Sequence, residues 1–244
     1  MSSTSRLYNI LSALQSFTDV SKNLGEAWSE ILDLKGMPDY EIYKKDAEIR
    51  ALIFQSRSEA ENYGDNNLNN PWLKHFDTII NIFQNVSLKS LVNEVIKVRG
   101  FEGALIGLES CAYALSKNQE PEIEKEQLEE LIKEIGQLYE HAREVNFPQD
   151  IKRYILENLS YTMKVIVDFK INGSEVVRRA IDANIGLLFI NHNKINETKE
   201  GQGFFSRTIG ILNKANTLFS FYKNTSDALQ SLQSFVENSK IYIE

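Results

Sequence analysis

Apolar residues recur along this chain at spacings of three and four from close to its first residue, the period of a helix that buries one face. Leu7, Ile10, Leu11, Leu14, Phe17 and Val20 form the first such line, with Thr4 or Ser5 placed to cap it. Beyond Gly25 a short second helix carries Trp28, Ile31, Leu32 and Leu34 and stops near Gly36. Pro38 and Asp39 open a longer helix whose inward residues read as Ile42, Tyr43, Ile49, Leu52 and Ile53. The polar stretch 62–70 predicts a loop. Asn70 and Pro71 then supply cap and first turn for a helix burying Trp72, Phe76, Ile79, Ile80 and Phe83. Ser87 starts another through Leu91, Val92, Val95 and Ile96, with a break or kink near Gly100. Gly103, Gly107, Cys111 and Ala114 follow as a stripe of small residues, which lets a neighbouring helix approach closely.

The clearest period lies in 122–145, where Leu128, Leu131, Ile132, Ile135, Leu138, Tyr139, Ala142 and Val145 share one face. Its four-apart pairs Lys125–Glu129 and Glu129–Lys133 mark a solvated face, and its acidic first turns suit the positive end of the helix dipole. After Pro148 a helix over 149–171 buries Ile151, Ile155, Leu159, Thr162, Ile166 and Phe169 and turns Lys152, Arg153, Glu157, Lys164 and Asp168 to water. Asn172 and Gly173 stop it, and Ser174 caps the next helix, which buries Val177, Ile181, Ile185 and Leu188. So short a connection predicts antiparallel neighbours. Residues 191–203 are polar and rich in Asn and Gly, the pattern of a linker with Gly201 and Gly203 as a flexible joint. Beyond it, 204–222 is apolar around much of its circumference, and a last helix spans 226–236. All four prolines, at 38, 71, 121 and 148, stand where helices begin.

The pattern therefore predicts an all-α, multi-helix bundle of about eight to ten helices. Its expected domains are a helical body over 1–190, a linker over 191–203 and an apolar C-terminal helical hairpin over 204–244. The net charge of −7 argues against non-specific nucleic-acid binding, which needs Lys and Arg to neutralise phosphates. One cysteine, Cys111, excludes an internal disulfide and fits a reducing compartment. Residues 1–14 lack the continuous apolar core and cleavage site of a secretory signal. The most apolar windows, 185–190 and 209–221, fall short of the ~20 apolar residues a span requires. A cytoplasmic location is the expectation.

Catalytic chemistry has no footing in the local pattern. No glycine is followed by lysine, so there is no phosphate loop. His75, His141 and His192 are isolated from one another, and none has a glutamate three residues before it. Nothing near Cys111 in sequence lowers its pKa. The carboxylates of 120–134 point outward and apart. No catalytic, metal or cofactor residue is expected.

The stretch LEELIKEIGQLYEHAREVNFPQDIKRYILENL, followed by FKINGSEVVRRAIDANIG, resembles a helical segment of uncharacterised bacterial proteins. The resemblance covers 128–186: an amphipathic helix, a short turn, a second helix, then aromatic-x-Ile-x-Gly and a third helix. It implies bacterial origin, a structural role for Phe169, Ile171 and Gly173, and no mechanism.

The functional expectation is a non-enzymatic interaction protein: a scaffold, regulator or accessory subunit contacting a protein partner or further copies of itself. Its expected contact residues are Phe204, Phe205, Ile209, Leu212, Leu218, Phe219 and Tyr222, on a segment with more apolar faces than one neighbour covers. One alternative is a membrane-active protein that inserts these C-terminal helices. A second is an enzyme or small-ligand-binding bundle with an unfamiliar pocket.

Overall fold

The computed structural model of the chain describes residues 2–63, 70–115, 123–219 and 229–232. Their regular elements are all helices, and the one β-type contact among them is an isolated antiparallel bridge between Asn23 and Leu91. The chain divides into two compact units, Met1–Gln119 and Glu120–Glu244.

The first unit holds α1 (Ser3–Gln15), α2 (Leu24–Ile31), α3 (Asp39–Glu61), α4 (Leu73–Gln84), α5 (Val92–Ile96) and α6 (Phe101–Leu115). α1 packs on α3 and α6, and α4 packs on the same two, so the four long helices close a ring. Ser2, rather than Thr4 or Ser5, caps α1, its hydroxyl accepting from the Ser5 N–H. Glu59, near the end of α3, accepts from the Thr4 N–H at 3.1 Å, which sets the two helices antiparallel. α1 ends at Gln15, so Phe17 and Val20 fall beyond it. Asp46 and Arg50 of α3 tie three helices together: Asp46 accepts from Trp28 Nε1 at 3.1 Å and from Arg50 Nε at 2.6 Å. Arg50 also donates to the carbonyls of Phe83, in the last turn of α4, and of Val86, just past its end. Such satisfaction is what allows Asp46 to be buried.

The expected small-residue stripe of α6 is half realised. Gly107 and Cys111 are buried, whereas Gly103 is exposed and a Cβ there would meet nothing within 4 Å. A Cβ on Gly107 would come within 2.2 Å of the His75 ring on α4. The contact is with the root of the imidazole, so the ring cannot swing clear cheaply. Gly107→Ala is expected to lower the stability of this unit by about 2 kcal/mol through overpacking, while Gly103→Ala raises it slightly. Both tryptophans, Trp28 and Trp72, lie in this unit, so urea unfolding followed by tryptophan fluorescence checks the pair directly.

The second unit holds α7 (Lys125–Glu144), α8 (Gln149–Val167), the single turn α9 (Phe169–Asn172), α10 (Ser174–Ile195) and α11 (Lys199–Leu218). α7 packs on α8, α8 on α10, α10 on α11, and α11 returns to α7. With short connections this is an up-and-down four-helix ring. Leu131, Ile135, Leu138 and Ala142 of α7 face Ile151, Ile155, Leu159 and Ile166 of α8 in one continuous core. Gly173, at φ +76°, turns the chain into α10 and acts itself as the cap position, so Ser174 is the first helical residue. Asp168, expected in water, is buried at the α8–α9 junction, where its carbonyl accepts from the N–H groups of Ile171 and Asn172. Asn184 and Thr162 bond each other inside the core at 2.9 Å.

Two boundaries differ from the sequence reading. Residues 191–203 are not a linker: α10 continues to Ile195 and α11 begins at Lys199, leaving 196–198 as the connection. Their polar side chains lie largely on the outer faces of regular helices, with Asn191 bonded to the Leu187 carbonyl and Gln202 to that of Asn196. The body does not end near 190 either, because the division between units falls at 119/120 and α11 belongs to the same core as α7. Of the second arm of the expected hairpin, only residues 229–232 are described, and Leu229 and Leu232 are fully buried in that core. Glu122, Pro121 and the 226–228 and 233–244 stretches lie outside the described residues.

Candidate functional site

The residues expected to bind a partner are spent inside the chain. Phe204, Phe205, Ile209, Leu212 and Phe219 are each at most 4% exposed and belong to the core of the second unit. Leu218 is partly buried against the same core, and Tyr222 lies outside the described residues. α11 is apolar on several sides because it packs on both α7 and α10, in a core that also contains Leu229 and Leu232. Phe204 meets Phe147 edge-on at 5.2 Å and the His141 ring at 6.1 Å, and Phe219 meets Phe169 edge-on at 5.1 Å. Lys214 anchors the helix from outside, reaching Glu134 at 2.9 Å and Glu130 at 3.1 Å on α7.

The groups that carry chemistry elsewhere are dispersed. His75 packs on Gly107, where burial first and Lys74 second hold its pKa below the ordinary histidine value. His192 pairs its Nδ1 with the Phe189 carbonyl on its own helix. Among the described residues no three metal-ligating side chains converge. Burial pushes the Cys111 thiol up to about 12, with Glu59 adding to the effect and a hydrogen bond from Thr4 opposing it. A thiol so raised is a packing residue rather than a nucleophile. Native protein at neutral pH is expected to leave Cys111 unmodified by a thiol reagent, and protein in urea to take up one equivalent. Rapid native labelling would refute this placement.

An open hollow of about 900 Å³ runs along the outer face of α8, lined by Tyr139, Leu156, Ser160, Tyr161 and Lys164 among others. Three of the charged groups on its wall, Lys152, Arg153 and Glu157, are engaged locally. Lys152 donates to the carbonyls of Arg143 and Val145, closing the end of α7, and Arg153 lies over the Tyr154 ring and 3.9 Å from Glu157. Nothing in it resembles a paired acid and base held in a cleft.

The surface that stands out is on α3. Its buried face carries Ile49, Leu52, Ile53, Ser56 and Ala60. On the far side, Tyr40, Tyr43, Ala47, Ala51, Phe54 and Ser58 are all exposed. Their mean step is about 3.6 residues, so they form a straight line of about 27 Å down the helix, within an arc of about 80°. No charged residue interrupts it. Tyr40, Tyr43 and Phe54 are 66%, 59% and 54% exposed, large rings left in water. Tyr43, read from sequence as inward, therefore belongs to the outer line. The signal was present in the spacing, but two apolar faces on opposite sides of one helix blur each other's period.

Among the described residues no helix is long and apolar enough to cross a membrane. The chain matches no family model, no curated protein and no solved structure.

Proposed function

We propose that the protein is a non-enzymatic interaction protein, a helical scaffold, regulator or accessory subunit working through protein–protein contacts. The observation that carries this is the uncharged outer line of α3. A helix apolar on one side is explained by its own bundle; apolar on the opposite side as well, it is suited to being covered twice. Rigid aromatic rings separated by alanines are favourable contact chemistry, since tyrosine and phenylalanine present large areas while the alanines let another backbone approach. The contact element is thus α3 in place of the C-terminal segment.

The test compares wild type with Tyr43→Glu/Phe54→Glu. Both positions are exposed, so circular dichroism is expected to be unchanged. Proteins retained from native cells by wild type should be lost by the variant and should rebind when purified. Equal retention by both would remove α3 as the contact element.

A further inference from the structure

Of all the asparagines in the chain, only Asn172 is followed by glycine. We infer that Asn172 is a site of spontaneous deamidation held dormant by the α9 turn, so that its conversion follows, and then fixes, an opening of the α8–α10 junction. The chemistry lies within the chain. The Gly173 nitrogen, having lost its proton to hydroxide, attacks Cγ of Asn172. An N–Cγ bond forms and Nδ2 leaves as ammonia, taking a proton from water, which closes a succinimide ring. Water then opens the ring. Addition at Cγ leaves aspartate in the original backbone; addition at the α-carbonyl leaves isoaspartate, with an extra methylene in the backbone. One water enters and one ammonia leaves, and no other reactant is consumed. Glycine favours the closure because it carries no side chain to obstruct it and its backbone is permissive.

The folded chain holds the reacting atoms back. The Gly173 N–H donates to the Phe169 carbonyl at 2.8 Å and closes the turn Phe169–Asn172, so the proton that must leave is engaged. Asn172 belongs to the turn, its own N–H donating to the Asp168 carbonyl at 2.9 Å. A helical backbone does not bring a side-chain carbonyl carbon onto the following nitrogen. Gly173 is buried, whereas Asn172 is partly exposed, so solvent reaches the amide but not the nucleophile. The turn is anchored by Phe169 and Ile171, both buried, with Phe169 edge-on to Phe219 at 5.1 Å. Opening it withdraws those side chains from the core, and that local opening sets the rate.

The two products differ in what they allow afterwards. Isoaspartate lengthens the backbone inside a turn of 4 residues, so the Gly173 N–H loses its register with the Phe169 carbonyl and Phe169 is drawn off Phe219. Aspartate keeps the backbone and sets a carboxylate just ahead of α10, where the helix dipole favours it. The first product keeps the junction open; the second lets it close.

The test uses the full chain at mildly alkaline pH, in buffer and in urea. Trypsin releases the peptide 171–178, in which mass spectrometry reads conversion and chromatography separates the two products. Conversion in buffer is expected to be slower than in urea by more than about tenfold. Phe169→Leu loosens the anchor and leaves the dipeptide intact, so a variant with the wild-type helical spectrum should convert severalfold faster in buffer. Ile171→Val, a milder change at the second anchor, puts the same question if Phe169→Leu does not fold. Isoaspartate protein returned to buffer should unfold at lower urea than wild type, and Asn172→Asp at a midpoint close to wild type. Equal rates in buffer and urea, or a folded anchor variant that converts no faster than wild type, overturn the gating by α9. An isoaspartate form with the wild-type midpoint overturns the fixing of the open junction.

Discussion

Phe204→Ala is expected to lower the stability of the second unit by about 4 kcal/mol, the range for emptying a fully buried phenylalanine site. The ring is 1% exposed and is gripped by Phe147 and His141, so its loss removes an edge-on aromatic contact together with the buried area. A domain of this size holds only about 5–15 kcal/mol in total, so the effect is a large share of what keeps it folded. Far-ultraviolet circular dichroism in urea measures it, with tryptophan fluorescence, which reports Trp28 and Trp72 of the first unit, as the internal reference. The same substitution separates two roles. A partner-binding ring can be removed with little cost to the free protein; a core ring cannot. An unchanged urea midpoint would return Phe204 to the surface and revive the C-terminal segment as the contact element.

That segment shows why burial was less legible than helicity. The helical class, the order of the long helices and most inward residues follow from the period of apolar positions, because a helix with one buried face repeats at a fixed angle. In α7 that face is Leu131, Ile135, Leu138 and Ala142; in α8 it is Ile151, Ile155, Leu159 and Ile166. Period reports which residues share a face, but not what the face meets. α11 is apolar around most of its circumference, a pattern that a missing partner and an enclosing core explain equally well. Only the folded chain distinguishes them, by packing α7 and α10 against it in one core. α3 is the converse case. Its inner and outer apolar lines lie on opposite sides, so a search for one favoured direction registers little, and the spacing alone does not tell that Tyr43 belongs to the outer side. The surface now proposed as functional is where two periodic signals overlap, and neither could be oriented without its neighbours.

Composition misled in a different way. Polar, Asn- and Gly-rich sequence marks a linker when backbone groups are left to water, but 191–203 satisfies them in two helices and one tight junction. Thr198 starts α11 with its hydroxyl, which accepts from the Gly201 N–H at 3.0 Å. Gly201 is buried against the end of α10, and a Cβ there would lie 1.8 Å from the carbonyl oxygen of Ile195. That oxygen belongs to the backbone of a helix whose last residue is fully buried, so it has little freedom to retreat. Gly203, two residues on, is exposed, and a Cβ there would touch nothing within 4 Å.

Alanine at these two glycines is therefore expected to act in opposite directions. Gly201→Ala should destabilise the second unit by about 3 kcal/mol, because α11 must shift away from α10 to admit one methyl group. Gly203→Ala should stabilise it by about 0.5–1 kcal/mol, since alanine in an exposed helical position loses less conformational entropy on folding. Urea unfolding followed by circular dichroism reads both, and the sign of the difference matters more than either value. A flexible joint would answer both substitutions alike and weakly. A close-packed turn answers them with opposite signs, since only at Gly201 does the Ile195 carbonyl occupy the space a side chain would need.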